Sequence, residues 1–246
     1  MSETAYLALM LDAPMQSWGF ASRFQRRTTG LHPTKSGVIG LLCAALGLEK
    51  GSPKEAEVLP RLAKLHMLCL TIPRCNHNHW TGKETKLSVW RLEDFHTVGG
   101  GYDKEKQPLN IPRTAGTGKP RNNPDITRRQ YLLDACFGVV LSGDATLLEQ
   151  VKYALQNPVW GIWFGRKNCI PAAPVFRKLA ASEKEAVSAL TEGRPVSAFT
   201  RMSDAASFSV GTDSLGDVPL SFKERRFMMR RINLEMAEGI PDNAVV

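Results

Sequence analysis

Apolar positions along the chain fall into two kinds of run. YLALML at 6–11, HMLCLTI at 66–72 and YLLDACFGVVL at 131–141 are short and nearly unbroken. The first two end at Asp12-Ala13-Pro14 and Pro73. Their length and flanks predict buried strands rather than helices. Other stretches repeat at helical spacing. Val38, Leu41, Leu42, Ala45 and Leu46 give one apolar face to a helix over about 35–46, with Thr34 placed to cap it and Gly47 to stop it. Leu147, Leu148, Val151 and Leu155 do the same over 145–156, where Asn157-Pro158 ends the pattern. The weaker segments are 52–64, a more polar helix or irregular connection, and 172–190, which is helix-permissive. Beyond them, 194–217 reads as loop and edge strand, and 219–232 as a basic strand or helix.

Between Cys75 and Arg129 the texture changes. Gly82, Gly99-Gly100-Gly101, Gly116, Gly118 and four prolines interrupt a stretch with little apolar periodicity. It is too long for an ordinary connection and predicts a projecting hairpin or lid, with LSVWRLEDFHTV at 87–98 as its ordered piece. Outside it the order is strand, helix, strand, insertion, strand, helix. That order predicts an α+β fold with a split βαβ, ferredoxin-like sheet. A doubly wound parallel sheet is the alternative, but too few strand–helix pairs are visible for it. Gly37 and Gly40, three apart on the first helix, predict close approach of a second backbone there.

Composition narrows the class. A chain of 246 residues can bury a sizeable core. Its net charge of +8 favours a polyanionic partner. Five cysteines, an odd number without regular spacing, argue against a disulfide framework and for a reducing compartment. The segment MSETAYLALML carries no basic n-region, and no apolar run reaches membrane-spanning length. The expectation is a cytoplasmic protein without a membrane partner.

The candidate chemistry centres on 23–47, RFQRRTTGLHPTKSGVIGLLCAALG. Three arginines lead through His32-Pro33 into a helix beginning Thr34-Lys35-Ser36-Gly37. Cationic side chains ahead of helix N–H groups make a natural phosphate seat. A nucleotide-hydrolysing P-loop is excluded, because Thr29 and Thr34 stand where it needs glycines and Pro33 lacks an N–H. Cys75, His77 and His79 have close spacing, but no second ligand pair follows, so no metal or other cofactor is expected. His32, His96 and Tyr102, with a lysine such as Lys35, could support metal-independent RNA cleavage. Further basic clusters stand at Arg128/Arg129, Arg166/Lys167 and Arg225/Arg226/Arg230/Arg231. With Trp18, Trp163 and Phe164 close by in sequence, they fit a track for single-stranded nucleic acid.

Five pieces in order carry a more specific resemblance: LDAPMQSWG at 11–19, RRTTGLHPTKSGVIGLLCAALG at 26–47, DFHTVGG at 94–100, TRRQYLLDACFGVVL at 127–141 and FGRKNC at 164–169. In these the chain resembles the CRISPR-associated Cas-five family, and within it the members found in type I-E Cascade. The resemblance implies an RRM-like RAMP domain over 1–160, with a β-hairpin thumb inserted at about 76–130, and a smaller β-rich C-terminal part over 161–246. It implies a non-catalytic subunit that caps one end of the Cascade assembly and grips the 5′ handle of the crRNA. Its neighbours would be a backbone subunit and the large subunit, with target DNA met indirectly through the complex. Residue by residue, it places Gln16, Ser17, Trp18, Arg23, Arg26, Arg27, Lys35, Ser36, His96, Thr97, Arg128, Arg129, Arg166 and Lys167 at the RNA. The glycine-rich 99–118 stretch would be the thumb or its base. Some relatives in another type I subtype cleave precursor crRNA, which makes endoribonuclease activity the alternative.

Overall fold

The computed structural model describes residues 3–19, 25–98 and 125–237. Arg23, Tyr102 and the 99–118 stretch therefore lie outside the described residues. In chain order the elements are β1 (Thr4–Asp12), β2 (Met15–Gln16), β3 (Arg26–Arg27), α1 (Lys35–Ala45), α2 (Pro53–Ala63) and β4 (His66–Thr71). The insertion contributes β5 (Arg74–His77), β6 (Glu84–Leu87), β7 (Trp90–Val98) and β8 (Asp125–Leu133). After it come β9 (Cys136–Asp144), α3 (Ala145–Gln156), β10 (Phe176–Ala180) and α4 (Glu183–Thr191), and last β11 (Arg201–Asp204), β12 (Asp213–Ser221) and β13 (Arg226–Glu235).

The main sheet has seven strands in the order β10-β1-β9-β4-β11-β13-β12, antiparallel throughout. Its first four strands interleave two strand–helix–strand units, since β9 lies between β1 and β4 while β1 lies between β9 and β10. Both faces of these strands are covered, which explains their unbroken apolar sequences. Leu7, Leu9 and Leu11 of β1 share one core with Val38, Leu42, Leu148 and Val151 of α1 and α3. Ala8, between them, joins Leu68, Leu70, Val140, Val187 and Leu190 in a second core under α4. The two-residue period of a strand thus sorts one hydrophobic run into two layers.

The helices start where side chains accept their free N–H groups. Thr34 accepts from Gly37 N at 3.2 Å, Ser52 from Glu55 N at 3.1 Å and Asp144 from Thr146 N at 3.0 Å. Gly37 and Gly40 admit aromatic rings rather than a second backbone: a Cβ at Gly37 would press on Trp18, and one at Gly40 would touch Phe222.

The segment 131–141 is two strands, not one. Asp134 takes a left-handed conformation (φ 50°) and its N–H donates to Pro14 O at 3.0 Å, so β8 ends and β9 enters the other sheet. The helix-permissive 172–190 divides into β10 and α4, because Ser182 caps a helix only from Glu183. The basic 219–232 segment lies in the β12–β13 hairpin, turning at Arg225 (φ 54°). Strands that follow residue 160 extend the main sheet on both sides. β10 pairs with β1, and β11 continues the same sheet from β4.

Candidate nucleic-acid interface

The insertion and the basic segment before α1 meet in a second, four-stranded sheet, in which β8 is central. β2 and β3 lie along one side of it and β7 along the other. β3 runs parallel to β8, with Arg26 beside Arg128 and Arg27 beside Arg129. On the other side Phe95 pairs with Arg128, Asp94 with Arg129 and His96 with Thr127. Four arginines from segments a hundred residues apart in sequence are therefore brought side by side.

Strand alternation then divides them between two faces. Arg26 and Arg128 share a face with Glu93, Phe95 and Thr97, where Arg26 lies 3.8 Å from Glu93 and Phe95 is exposed. Arg27 and Arg129 share the opposite face with His96 and Asp94. There Arg129 Nε donates to Thr127 Oγ1 at 3.1 Å, and His96 Nδ1 sits 3.4 Å from Asp94.

The second face is extended by the 164–169 loop. Arg166 donates to Gln130 O and to Arg27 O, each at 3.0 Å, and stacks on Tyr131 at 4.5 Å. Ser17 N donates to Phe164 O at 3.0 Å, and Gly165 (φ 96°) lies so close to the Ser17 carbonyl that any Cβ would overlap it. Ser17 and Trp18 thus seat the loop. Gln16 is fully buried, donating to Leu11 O and Ala135 O at 2.9 and 2.7 Å and accepting from Trp18 Nε1 at 3.0 Å. Gln16, expected at the RNA, is buried and holds the backbone that shapes the site, whereas Trp18, also buried, lies against the adjoining cleft.

Between the loop, the start of α1 and the β12–β13 turn is a cleft of about 470 Å³ lined by Arg27, Arg166, Arg225, Ser17, Ser36 and Phe227 among others. No acidic side chain is among the described residues that line it. Arg225 belongs to a basic cluster expected on the nucleic-acid track but was not among the residues that the resemblance places at the RNA, and Phe227 was in neither set. The signal for Phe227 in sequence is its place inside the basic cluster at 225–231, whose turn reaches back to α1.

Lys35 departs from expectation. Its side chain is buried and its Nζ pairs with Asp204 at 2.8 Å. Its backbone N–H donates to Asp217 Oδ2 at 2.7 Å, so the helix-terminal anion seat is filled by the protein's own carboxylate. Arg230 completes the cluster, with Nε and Nη2 on Asp217 at 2.6 and 2.9 Å and Nη1 on Asp204. Burial by itself would raise the Asp204 carboxyl, but the charges of Lys35 and Arg230 outweigh it and hold it below its ordinary value. His32 is likewise turned inward, edge-on to Phe137, and burial pushes its pKa down. Lys167 remains exposed, its Nζ 5.8 Å from the Trp163 ring.

Residues 6–233 match the CRISPR-associated protein (Cas_Cas5) family, and the chain belongs to it. Over 175 residues, 70% of each chain, it is 29% identical to the CRISPR system Cascade subunit CasD of Escherichia coli (strain K12). A chain in a solved CRISPR RNA-guided surveillance complex superposes with a TM-score of 0.70 at 29% identity, covering 94% of this chain and 89% of that one. A crystal structure of a Cas protein superposes with a TM-score of 0.60 at 27% identity, covering 94% of both. No helix among the described residues is long and apolar enough to cross a membrane.

Proposed function

We infer that the chain is a non-catalytic, RNA-binding subunit of a CRISPR Cascade surveillance complex, and that it grips the 5′ handle of the crRNA. Its interleaved β1/β4/β9/β10 unit reads as the ferredoxin-like part of such a protein, with β5–β8 as the base of the thumb. A backbone subunit and the large subunit are its protein neighbours, and target DNA is met through the assembly. The observation that carries the reading is the pairing of β3 with β8. It sets Arg27 and Arg129 on one face beside Arg166, next to a cleft without acidic lining residues. Backbone phosphates of a single strand are the chemistry such an array holds.

Precursor cleavage is the weaker reading. It would use His96 or His32 with Tyr102 and Lys35, and Lys35 is committed to Asp204 while His32 packs on Phe137. Incubating the protein with labelled repeat RNA in chelator tests both readings. The expected result is retention of intact RNA that weakens steeply with salt. Specific cleavage lost in His96→Ala would favour the nuclease instead, and salt-independent or absent binding would remove the handle role.

A further inference from the structure

Beside the basic cleft, and sharing Ser36, Gly37, Gly165 and Phe222 with it, is a second cavity of about 370 Å³. Its floor is the glycine face of α1. Trp160 and Trp163 form one wall, and Phe222 faces Gly40 from the other side. Trp163 folds back over Gly161, where a Cβ would strike its ring. Lys50 and Lys167 also line it, and Lys167 lies over the Trp163 ring. Leu41, Cys43, Ala44 and Leu48 complete an apolar floor, and Glu55, which accepts from Gly51 N at 2.5 Å, is the one acidic residue of the lining against the two lysines. Flat aromatic walls, small residues at the helix face and two cations suit a planar ring attached to a phosphate chain.

We propose that this cavity receives one unpaired nucleobase of the RNA strand whose phosphates occupy the adjoining cleft, stacked on Trp163. The proposal rests on the RNA-binding reading above and adds a base-binding subsite to it. Three features favour a base over an apolar protein side chain: the two cavities adjoin through four shared residues, the shared wall carries Ser36 and Gly165 at the edge of the arginine cleft, and the two lysines outnumber the one glutamate of the lining.

The test compares binding of a short mixed-sequence single-stranded RNA with that of the abasic ribose-phosphate chain of the same length. The full chain should prefer the base-bearing strand by roughly tenfold, the scale of one base–aromatic stack. Trp163→Ala should remove that preference and leave affinity for the abasic chain unchanged, whereas Trp163→Phe should keep most of it. Gly40→Leu fills the cavity from the helix side with a better helix former, so it guards against a Trp163 variant that fails to fold. It too should bind both strands equally. If either folded variant retains the full preference, the subsite is overturned while the phosphate grip stands. If the unmodified protein binds neither strand, the RNA reading itself falls and takes the subsite with it.

Discussion

The backbone N–H of Lys35 donates to the carboxylate of Asp217 at 2.7 Å, joining residues 182 positions apart. The bond places a β12 carboxylate at the start of α1, where the helix dipole favours negative charge. Arg230 holds that carboxylate through two further bonds. The last strands are thereby fastened to the first helix, and the anion seat seen in the sequence is used internally. The cations that line the open cleft are Arg27, Arg166 and Arg225.

Removing one member of this cluster strands the others. Asp217→Ala leaves Arg230 buried without its two-pronged partner and should cost about 3–5 kcal/mol of stability. Urea unfolding followed by circular dichroism measures it. A loss under about 1 kcal/mol, the scale of an exposed pair, would mean that water reaches the cluster.

The same cluster predicts an acid limit. Asp204 is held below its ordinary pKa, so the unfolded chain binds its proton more readily than the folded one does. Its contribution is complete above the unfolded value of about 3.9 and is lost as pH falls through the lower folded value. Thermal unfolding followed downward from neutral pH should show Tm falling below about pH 4, and Asp204→Asn should flatten that fall. An unchanged acid limb in the variant would assign it to other carboxylates.

Gly165 and Gly193 separate close packing from backbone conformation. Both have positive φ, but a Cβ at Gly165 meets the Ser17 carbonyl whereas one at Gly193 meets open space. Gly193→Ala should cost about 1 kcal/mol from conformation alone. Gly165→Ala should cost at least about 3 kcal/mol, from overlap with a backbone that cannot rotate away, and should also weaken RNA retention by displacing Arg166. Equal Tm losses would mean that the 164–169 loop shifts freely.

The two faces of the arginine sheet differ in their expected salt response. Arg27→Ala with Arg129→Ala should weaken RNA binding and lower the slope of log K against log salt by about 1.4, two single-strand phosphate contacts. Arg26→Ala with Arg128→Ala should change it less, since Arg26 lies beside Glu93 and this pair faces away from the cleft. Equal losses would route the RNA over both faces. Lys35→Ala should lower stability rather than the salt slope.

The cysteines offer a check on the core. Cys43, Cys69, Cys136 and Cys169 are buried, and burial pushes Cys43 and Cys69 up to about 12, while Cys75 is exposed. A charged thiol reagent should modify Cys75 alone in the native protein and all five after unfolding. Native labelling of Cys69 would show that β4 opens.

Much of the architecture was legible in the residues. YLALML and HMLCLTI announced β1 and β4 because an unbroken apolar run suits a strand covered on both sides. Thr34 and Asn157-Pro158 marked α1 and α3 because caps and breakers act within one helical turn. The motifs at 26–47 and 164–169 pointed to the family and to the loops that build the cleft. These are local properties, set by spacing and by the chemistry of neighbours in the chain. Which arginines share a face, that Lys35 turns inward, that Gln16 and Trp18 are buried, and that Arg225 joins the cleft were decided by the tertiary structure. Each depends on strand register or on a partner more than a hundred residues away. A cation in sequence carries no mark of whether the carboxylate it will meet belongs to the protein or leaves the site open to phosphate.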